Sequence, residues 1–587
     1  MRVDVIAGDA VRPGQQLVVL ESMKMEHPIM AEHAGVVAEI RAAIGDTVHP
    51  GSPLALIDER EAETASATAA AAGSEAASGD RADRLEVASR HDLGLDAARP
   101  DAVERRRRTG QRTTRENVAD LCDDDSFVEY GPLAIAAQRR RRSVDDLMRR
   151  TPADGLVGGV GRVAGHQTIV MSYDYTVLAG TQGLQNHRKK DRLFALAERL
   201  RLPLVFFTEG GGGRPGDTDG SGISGLDCLA FQLFAELSGL VPLVGITSGR
   251  CFAGNAALLG CCDVIIAAAG SNIGMGGPAM IEGGGLGVFP PEAVGPMDVQ
   301  VPNGVVDVAV ADEAEAVEVA RRYLSYFHGR VDAWSCPDQL GLRDVIPSDR
   351  LRVYDVRRVI DTLADTDSVL ELRPQFGLGM VTALARVEGH PLGIIANNPT
   401  YLAGAIDADG ADKAARFMQL CDAHDIPLLM LCDTPGIMVG PEVEKTALVR
   451  HVSRLFVTGA SLTVPFFTIV LRKGYGLGAQ AMAGGSFKAP LFLVSWPTGE
   501  FGGMGLEGAV RLGYRKELEA ADDPDALFGD LVGRMYEQGK AVNAATYFEF
   551  DDVIDPADSR RWITMALASA PQPAPRTGKK RPCIDTW

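Results

Sequence analysis

One lysine stands between two methionines in ESMKMEHP, Glu21 to Pro28, directly after the apolar run LVVL. The apolar runs on both sides read as two strands with Lys24 at the tip of the hairpin between them, flanked by the flexible thioethers of Met23 and Met25. The other residues that could do chemistry are glycines at two strand-to-helix turns, GRCFAGNAALLG from Gly249 and GYGLGAQAMAGG from Gly474. Where a buried strand turns into a helix, backbone N–H groups and the positive end of the helix become available to an anion. The N–H groups near Ala253 and Gly254, and those near Leu477 and Gly478, would make two pairs of donors for two oxyanions. A reaction passing between two enolate-like species needs such a site and no metal, and each donor is worth about 3 kcal/mol. Glycine in a single turn of this kind reads as well as tight packing of strand on helix. Its recurrence at matched places in the two halves of the chain is what favours function.

Other chemistries are poorly supported. The chain has ten histidines and no H-E-x-x-H, G-x-S-x-G or P-loop pattern, which argues against a metal hydrolase, a triad hydrolase and an NTPase. Nine cysteines include no C-x-x-C pair, with only Cys261 and Cys262 adjacent, so they read as small core residues and no metal is expected. A net charge of -19 argues against non-specific nucleic-acid binding, and the basic runs at 105–108, 139–142 and 187–190 read as solvated faces, subunit contacts or anion sites. No apolar run approaches the roughly 20 residues of a membrane span. The start MRVDVIAGD lacks the basic and apolar regions of a signal peptide, so a cytoplasmic protein is expected.

The elements that position these residues come from two internal repeats. Gly8, Asp9, Val11, Pro13, Gly14 and Leu17 return 37 residues later as Gly45, Asp46, Val48, Pro50, Gly51 and Leu54, on either side of Lys24. Each copy reads as strand, Gly-Asp turn, Pro-Gly turn and strand, which makes a small two-fold β unit over residues 1–59. The strand GVVAEI, Gly35 to Ile40, has no full counterpart ahead of the first copy, so a missing front strand is expected there. Residues 60–100, with EAETASATAAAAGSEAASGD, read as an Ala-rich linker, flexible or in part a surface helix. The second repeat has an offset of 224 residues: Arg162, Val163, Gly165, His166, Leu178, Ala179, Gly180, Lys189 and Arg192 return as Arg386, Val387, Gly389, His390, Leu402, Ala403, Gly404, Lys413 and Arg416. Strand-like runs of five to seven residues alternate with helical periods in both copies, so residues 101–345 and 346–567 are expected to be two α/β domains of one fold. Residues 568–587 are expected to be a disordered tail.

ESMKME inside a two-fold β unit resembles the biotin attachment site of biotin carboxyl carrier domains, with Ser22 where Ala is usual. The resemblance implies that Lys24 carries biotin as an amide and that Met23 and Met25 are read by a biotin protein ligase. A lipoyl domain shares that fold but commonly carries Asp-Lys at the tip. Residues 105–563 resemble the carboxyltransferase of biotin-dependent acyl-CoA carboxylases of the propionyl-CoA carboxylase β type, built of two crotonase-like (ββα superhelix) halves. The motifs are TTRENVADLCDDDSFVEYG at Thr113, GGGGRPGDT at Gly210, AGAIDADGADKAARF at Ala403, DTPGIMVG at Asp433, RKGYGLGAQAM at Arg472 and WPTGEFGGMGLEGAV at Trp496.

The resemblance implies transfer of a carboxyl group from carboxybiotin to the α-carbon of an acyl-CoA. The CoA enolate would sit at Ala253 and Gly254, and the biotin urea at Leu477 and Gly478. Gly211, Gly212 and Gly436 are placed with the cofactor and CoA by the same motifs, and Gln480 falls where the family helps to choose the acyl chain. Lys189 and Lys190 would meet CoA phosphates, or, since Lys189 returns as Lys413, serve the fold. The family also implies a homo-oligomer, at least a dimer and plausibly a hexamer, and a biotin carboxylase supplied by a partner or by further domains of a longer chain. A decarboxylase subunit working in reverse and a degenerate scaffold are the competing expectations.

Overall fold

The computed structural model describes residues 2–59, 81–220, 225–571, 573 and 576–587. The chain divides into two compact units, Met1–Ala88 and Ser89–Trp587.

The first unit is all β and two-fold. Strand Gln16–Ser22 lies between Arg2–Val3 and Met25–Met30, and strand Gly35–Ile40 lies between Ala10–Val11 and Ala55–Glu59. Val3 pairs with Val18 as Ile40 pairs with Ala55, so the repeat holds residue for residue. Part of the front strand expected to be missing is therefore in place over Arg2–Val3. The turns repeat as well: Ile6 N–H donates to Asp9 Oδ2 at 2.8 Å and Ala43 N–H to Asp46 Oδ2 at 2.8 Å, with Gly8 and Gly45 at φ 96° and 95°. Asp closes each turn and Gly supplies its positive φ, which is why the Gly-Asp pair recurs. Val5, Val11, Leu17, Val18, Ala31 and Val37 make the small core.

The second unit holds two large sheets with one strand order, and a small sheet of Arg250–Phe252 with Asn272–Gly274. In the first, Val128–Glu129, Leu156–Val163, His166–Tyr173, Leu204–Phe207, Leu243–Thr247, Val264–Ala268 and Val308–Val310 lie side by side. In the second the sequence is Leu370–Leu372, Met380–Val387, His390–Asn397, Leu428–Thr434, Phe466–Tyr475, Leu493–Ser495 and Asp552–Val553. Both begin with two antiparallel pairings and continue parallel. The central strands are apolar on both faces, as parallel strands covered by helices must be. Helix Ala408–Ala423 is buried over nearly its whole length although it carries Asp412, Lys413, Arg416 and Asp422. Each has a partner: Asp412 takes His451 and Arg454, Lys413 donates to the carbonyls of Arg373 and Phe376, Arg416 to that of Asp263, and Asp422 takes Arg581.

Of the linker, residues 60–80 lie outside the described residues; Ala82–Asp92 is a helix, the alternative left open for part of it, and Arg99 is tied to Asp174 by a 2.7 Å ion pair. The expectation of a disordered tail needs correction. The tail is anchored. Ile584 is 4% exposed in a core shared by both halves and donates its N–H to Ser238 Oγ at 3.0 Å. Asp585 N–H donates to Gln419 Oε1 at 2.8 Å, and the Trp587 ring packs edge-on to Phe376. Pro, Gly and Lys in this stretch hide the signal, because the attachment rests on a few scattered residues, Arg576, Lys580 and Arg581 on acidic partners and the closing IDTW. Replacing Ile584 by Ala is expected to cost about 2–3 kcal/mol in chemical denaturation, the value of one buried aliphatic side chain. An unchanged midpoint would mean that the tail rests on the surface without stabilising it.

Candidate functional site

In the N-terminal half, strand Arg250–Phe252 runs into helix Gly254–Gly260 through Ala253, at φ 51° and ψ -122°. That region suits glycine, and an alanine held there stores about 1–3 kcal/mol of backbone strain. The expectation that Ala253 and Gly254 both offer donors needs correction at Ala253. Ala253 N–H is spent on Gly274 O at 3.0 Å, while Gly254 stands in the first helical turn, where N–H groups have no intrahelical acceptor. The glycine loop crosses directly over this point. A side chain on Gly212 would begin 2.7 Å from Ala253 Cβ. Gly211 N–H donates to Ala179 O at 3.1 Å, and Gly212 N–H to Asn255 Oδ1 at 3.1 Å. These glycines permit close approach and do not present free donors.

The C-terminal half repeats the arrangement at the same offset of 224 residues. Strand Phe466–Tyr475 enters helix Gly476–Ala481, with Gly476 at φ 55°. Gly436, at φ 126°, crosses it as Gly212 crosses the first, and a side chain on Gly478 would begin 2.7 Å from Gly436 Cα. Gln182 N–H donates to Gly212 O at 2.8 Å and Ile406 N–H to Gly436 O at 3.1 Å. Leu477 and Gly478 therefore occupy the places of Ala253 and Gly254, with the Leu477 side chain largely exposed.

Asp433 anchors the strand that leads to Gly436. Its fully buried carboxylate accepts from Tyr354 Oη at 2.8 Å and from Lys473 N–H at 3.1 Å, and pairs with Arg472 Nε at 3.2 Å and Lys473 Nζ at 3.1 Å. Nearby, burial raises the Glu500 carboxyl above its ordinary range. Arg350 lies 3.9 Å from Glu500 and 2.9 Å from Glu507. It thereby ties the sheet to helices Leu506–Gly513 and Pro524–Gly539, with Tyr536 stacked beneath its guanidinium. These helices wall a cavity of about 980 Å³ that Gln480 enters, lined also by Gly476, Phe501, Met504, Leu506 and Met535.

Lys189 and Lys190 do not face solvent. Lys189 donates to the carbonyls of Ala153 and Leu156, as its repeat mate Lys413 does to Arg373 and Phe376. Lys190 is fully buried and donates to Gln182 Oε1 at 2.6 Å and Tyr173 Oη at 3.0 Å. Burial pushes Lys189 down to about 8 and Lys190 and Lys413 down to about 7. Neither lysine of the pair can meet a CoA phosphate in this arrangement. Gln182, Asn255 and Asp433 belong to the site without having been singled out from the sequence.

In the first unit, Lys24 sits at the second central position of a two-residue turn closed by the Ser22–Met25 pair. Met23 and Lys24 have φ of 52° and 63°, the signature of a type I′ turn. Met23 is 96% exposed and Met25 64%. An exposed amine on a stiff tip fits covalent attachment of a prosthetic group.

A family described as "Carboxyl transferase domain" matches residues 105–582, and one described as "Biotin-requiring enzyme" matches residues 1–57. The chain belongs to the carboxyl transferase family. A methylmalonyl-CoA carboxyltransferase 12S subunit from Propionibacterium freudenreichii subsp. shermanii is 34% identical over 481 residues, covering 79% of this chain and 90% of the relative. Among solved structures, a single-chain, multi-domain long-chain acyl-CoA carboxylase superposes with a TM-score of 0.80 at 56% identity. That match covers 96% of this carboxyltransferase and 55% of the longer protein, so the chain spans about half the length of that relative. The transcarboxylase 12S hexamer, with methylmalonyl-CoA and methylmalonic acid bound, gives a TM-score of 0.73 at 30% identity, covering 85% of this chain and 98% of its own. The two α/β halves are those of a carboxyl transferase, and the small β unit is that of a biotin-requiring enzyme. Among the described residues no helix is long and apolar enough to cross a membrane.

Proposed function

We propose that this carboxyltransferase moves a carboxyl group from biotin held on Lys24 to the α-carbon of a long-chain acyl-CoA. The observation that carries the two-donor site is the doubled turn, Gly212 against Ala253 and Gly436 against Gly478 at the two helix starts, with the four positions related by one offset in two halves. Gly254 N–H takes the thioester oxygen as negative charge builds on it, and the N–H groups of Leu477 and Gly478 take the ureido oxygen of biotin. Biotin supplies both the carboxyl group and a basic ureido nitrogen, which accounts for the scarcity of side-chain bases around these turns. The chain's own part is to hold the two oxygens and to keep water from the space between them.

A long acyl chain is supported by the cavity beside Gln480, whose 980 Å³ far exceeds what an acetyl or propionyl group fills, and by the long-chain carboxylase at 56% identity. In our reading a biotin carboxylase, on a partner or on further domains, loads the biotin, and a biotin protein ligase attaches it through Met23 and Met25. The enzyme works in the cytoplasm as a homo-oligomer in which the N-terminal half of one subunit faces the C-terminal half of another, and the hexameric 12S relative supports that assembly.

The reverse half-reaction tests this. Purified protein with free biotin is expected to decarboxylate carboxylated acyl-CoAs, faster for a carboxylated palmitoyl-CoA than for methylmalonyl-CoA. Activity confined to the short substrate would remove the chain-length reading, and biotin-independent or absent turnover would remove the carboxyltransferase reading.

A further inference from the structure

The doubled fold contains its own control for deciding which polar groups serve chemistry. A buried charged side chain kept in both copies, as Lys189 and Lys413 are, is accounted for by the fold the copies share. Whatever stands in one half alone needs another reason.

One chain of buried polar groups fails to recur. Lys190 Nζ donates to Gln182 Oε1 at 2.6 Å, Gln182 Nε2 donates to Asn255 Oδ1 at 3.1 Å, and Gly212 N–H donates to the same oxygen at 3.1 Å. Asn255 is held by its own amide, which donates to Thr208 O at 3.1 Å and Gly180 O at 3.3 Å. At the matching positions of the other half stand Ala414, Ile406 and Ala479, all buried. There the crossing of turn over helix has apolar side chains at these three places, and Gly436 N–H is taken by Thr434 Oγ1 within its own turn. The polar chain is thus not required to bring Gly212 against the helix start, and burying a cation and two amides is costly unless each is satisfied.

The chain ends at the donor. Gln182 Nε2 lies 3.0 Å from where a side chain on Gly254 would begin, and Phe231 Cζ lies at 3.2 Å on the same face. An amide is free to present either end, and Lys190 settles which. Lys190 Nζ donates to Oε1 at one end of the amide and Asn255 Oδ1 accepts from Nε2 at the other, so Nε2 is turned toward Asn255 and Gly254. With Ala253 N–H spent on Gly274 O, this oriented amide is a polar group beside the one first-turn N–H singled out in this half.

We propose that Gln182, oriented by buried Lys190, is a positioning residue of the acyl-CoA half of the site, holding Gly254 N–H and the Gly212 turn in register for the thioester oxygen. The inference rests on the carboxyltransferase reading given above. It predicts an effect on the CoA side, through the hydrogen bonding of the thioester carbonyl, in a variant whose packing is intact.

The test is the double variant Lys190→Met, Gln182→Leu, which copies the apolar solution of the other half and leaves no buried cation unpaired. Unfolding of wild type and variant is compared first, and the thermal midpoints are expected to lie within a few degrees. With free biotin and a carboxylated long-chain acyl-CoA, kcat is expected to fall about 10- to 100-fold, less than for outright removal of an oxyanion donor, with KM changed less than about threefold. Isotope-edited infrared spectroscopy of bound acyl-CoA supplies a readout independent of turnover. The thioester carbonyl stretch, lowered by binding to the wild type, is expected to return part-way toward its value in solution. Where the double variant does not fold, Lys190→Met alone, which frees the Gln182 amide to turn over, is held to the same expectations. Wild-type kcat together with an unmoved carbonyl stretch in the variant overturns the proposal while leaving the carboxyltransferase reading intact. A wild-type enzyme without biotin-dependent turnover overturns that reading, and this inference with it.

Discussion

Gly478→Ala is expected to lower biotin-dependent turnover by about 100-fold or more while leaving Lys24 fully biotinylated by intact mass. The methyl group would stand 2.7 Å from Gly436 Cα and 2.8 Å from the Gly436 carbonyl carbon. Both obstacles are backbone. Gly436 is held by its carbonyl on Ile406 N–H and by its N–H on Thr434 Oγ1, so the clash is relieved only by shifting the helix start or the turn. A displacement of about 1 Å at catalytic donors costs on the order of 100-fold, and losing a donor costs 100- to 1,000-fold. Gly254→Ala provides the comparison. Its methyl would meet Gln182 Nε2 at 3.0 Å and Phe231 Cζ at 3.2 Å, looser contacts than at Gly478 and with side chains instead of backbone. The N-terminal change is therefore expected to be the milder of the two. Turnover of Gly478→Ala within about fivefold of wild type would show that the close approach of the two glycines does not set donor position.

Much of this site was legible because repetition is a strong signal. A strand-to-helix turn with glycine says little alone, but Gly254 and Gly478, with Gly212 and Gly436, recur at one spacing, and in each half the glycine turn lies against the helix start. Lys24 was legible for a local reason: a hairpin whose tip is Met-Lys instead of Asn-Gly puts two side chains into the left-handed region, which is strained unless the tip has a use. What stayed hidden depends on partners far away in sequence. Ala253 N–H is lost to Gly274 O through a strand pairing that no motif reports. Lys189 and Lys190 look like a basic surface run beside Arg188, and only the burial of one helix face turns them inward. Asp433 passes for part of a motif until Arg472 and Lys473 fold over it. The Lys190–Gln182–Asn255 chain was visible in principle as a mismatch between the two copies. Attention to what recurs passes over what does not.

Asp433→Asn is expected to destabilise the carboxyltransferase unit by about 3–5 kcal/mol, measured by chemical denaturation, although it changes the side-chain volume very little. No cavity opens, so the loss isolates charge. The carboxylate is fully buried and faces Arg472, whose side chain is 3% exposed, and Lys473, 14% exposed. Removing one partner of a buried pair leaves the other charges in a medium that cannot solvate them, which outweighs the modest value of the pair itself. Geometry adds to the penalty. The Lys473 N–H and the Tyr354 hydroxyl both donate to this carboxylate, and an amide offers one acceptor oxygen where two stood, so one donor is left facing an NH₂ group. Added salt is expected to restore little, because buried charges are poorly screened, whereas a surface pair would respond. A shift below about 1 kcal/mol would place Asp433 among the exposed pairs in its energetics and would imply that water reaches the carboxylate. The same substitution loosens the strand end three residues before Gly436. A fall in turnover larger than the unfolded fraction accounts for would then tie the buried charge cluster to the position of the turn that crosses Gly478.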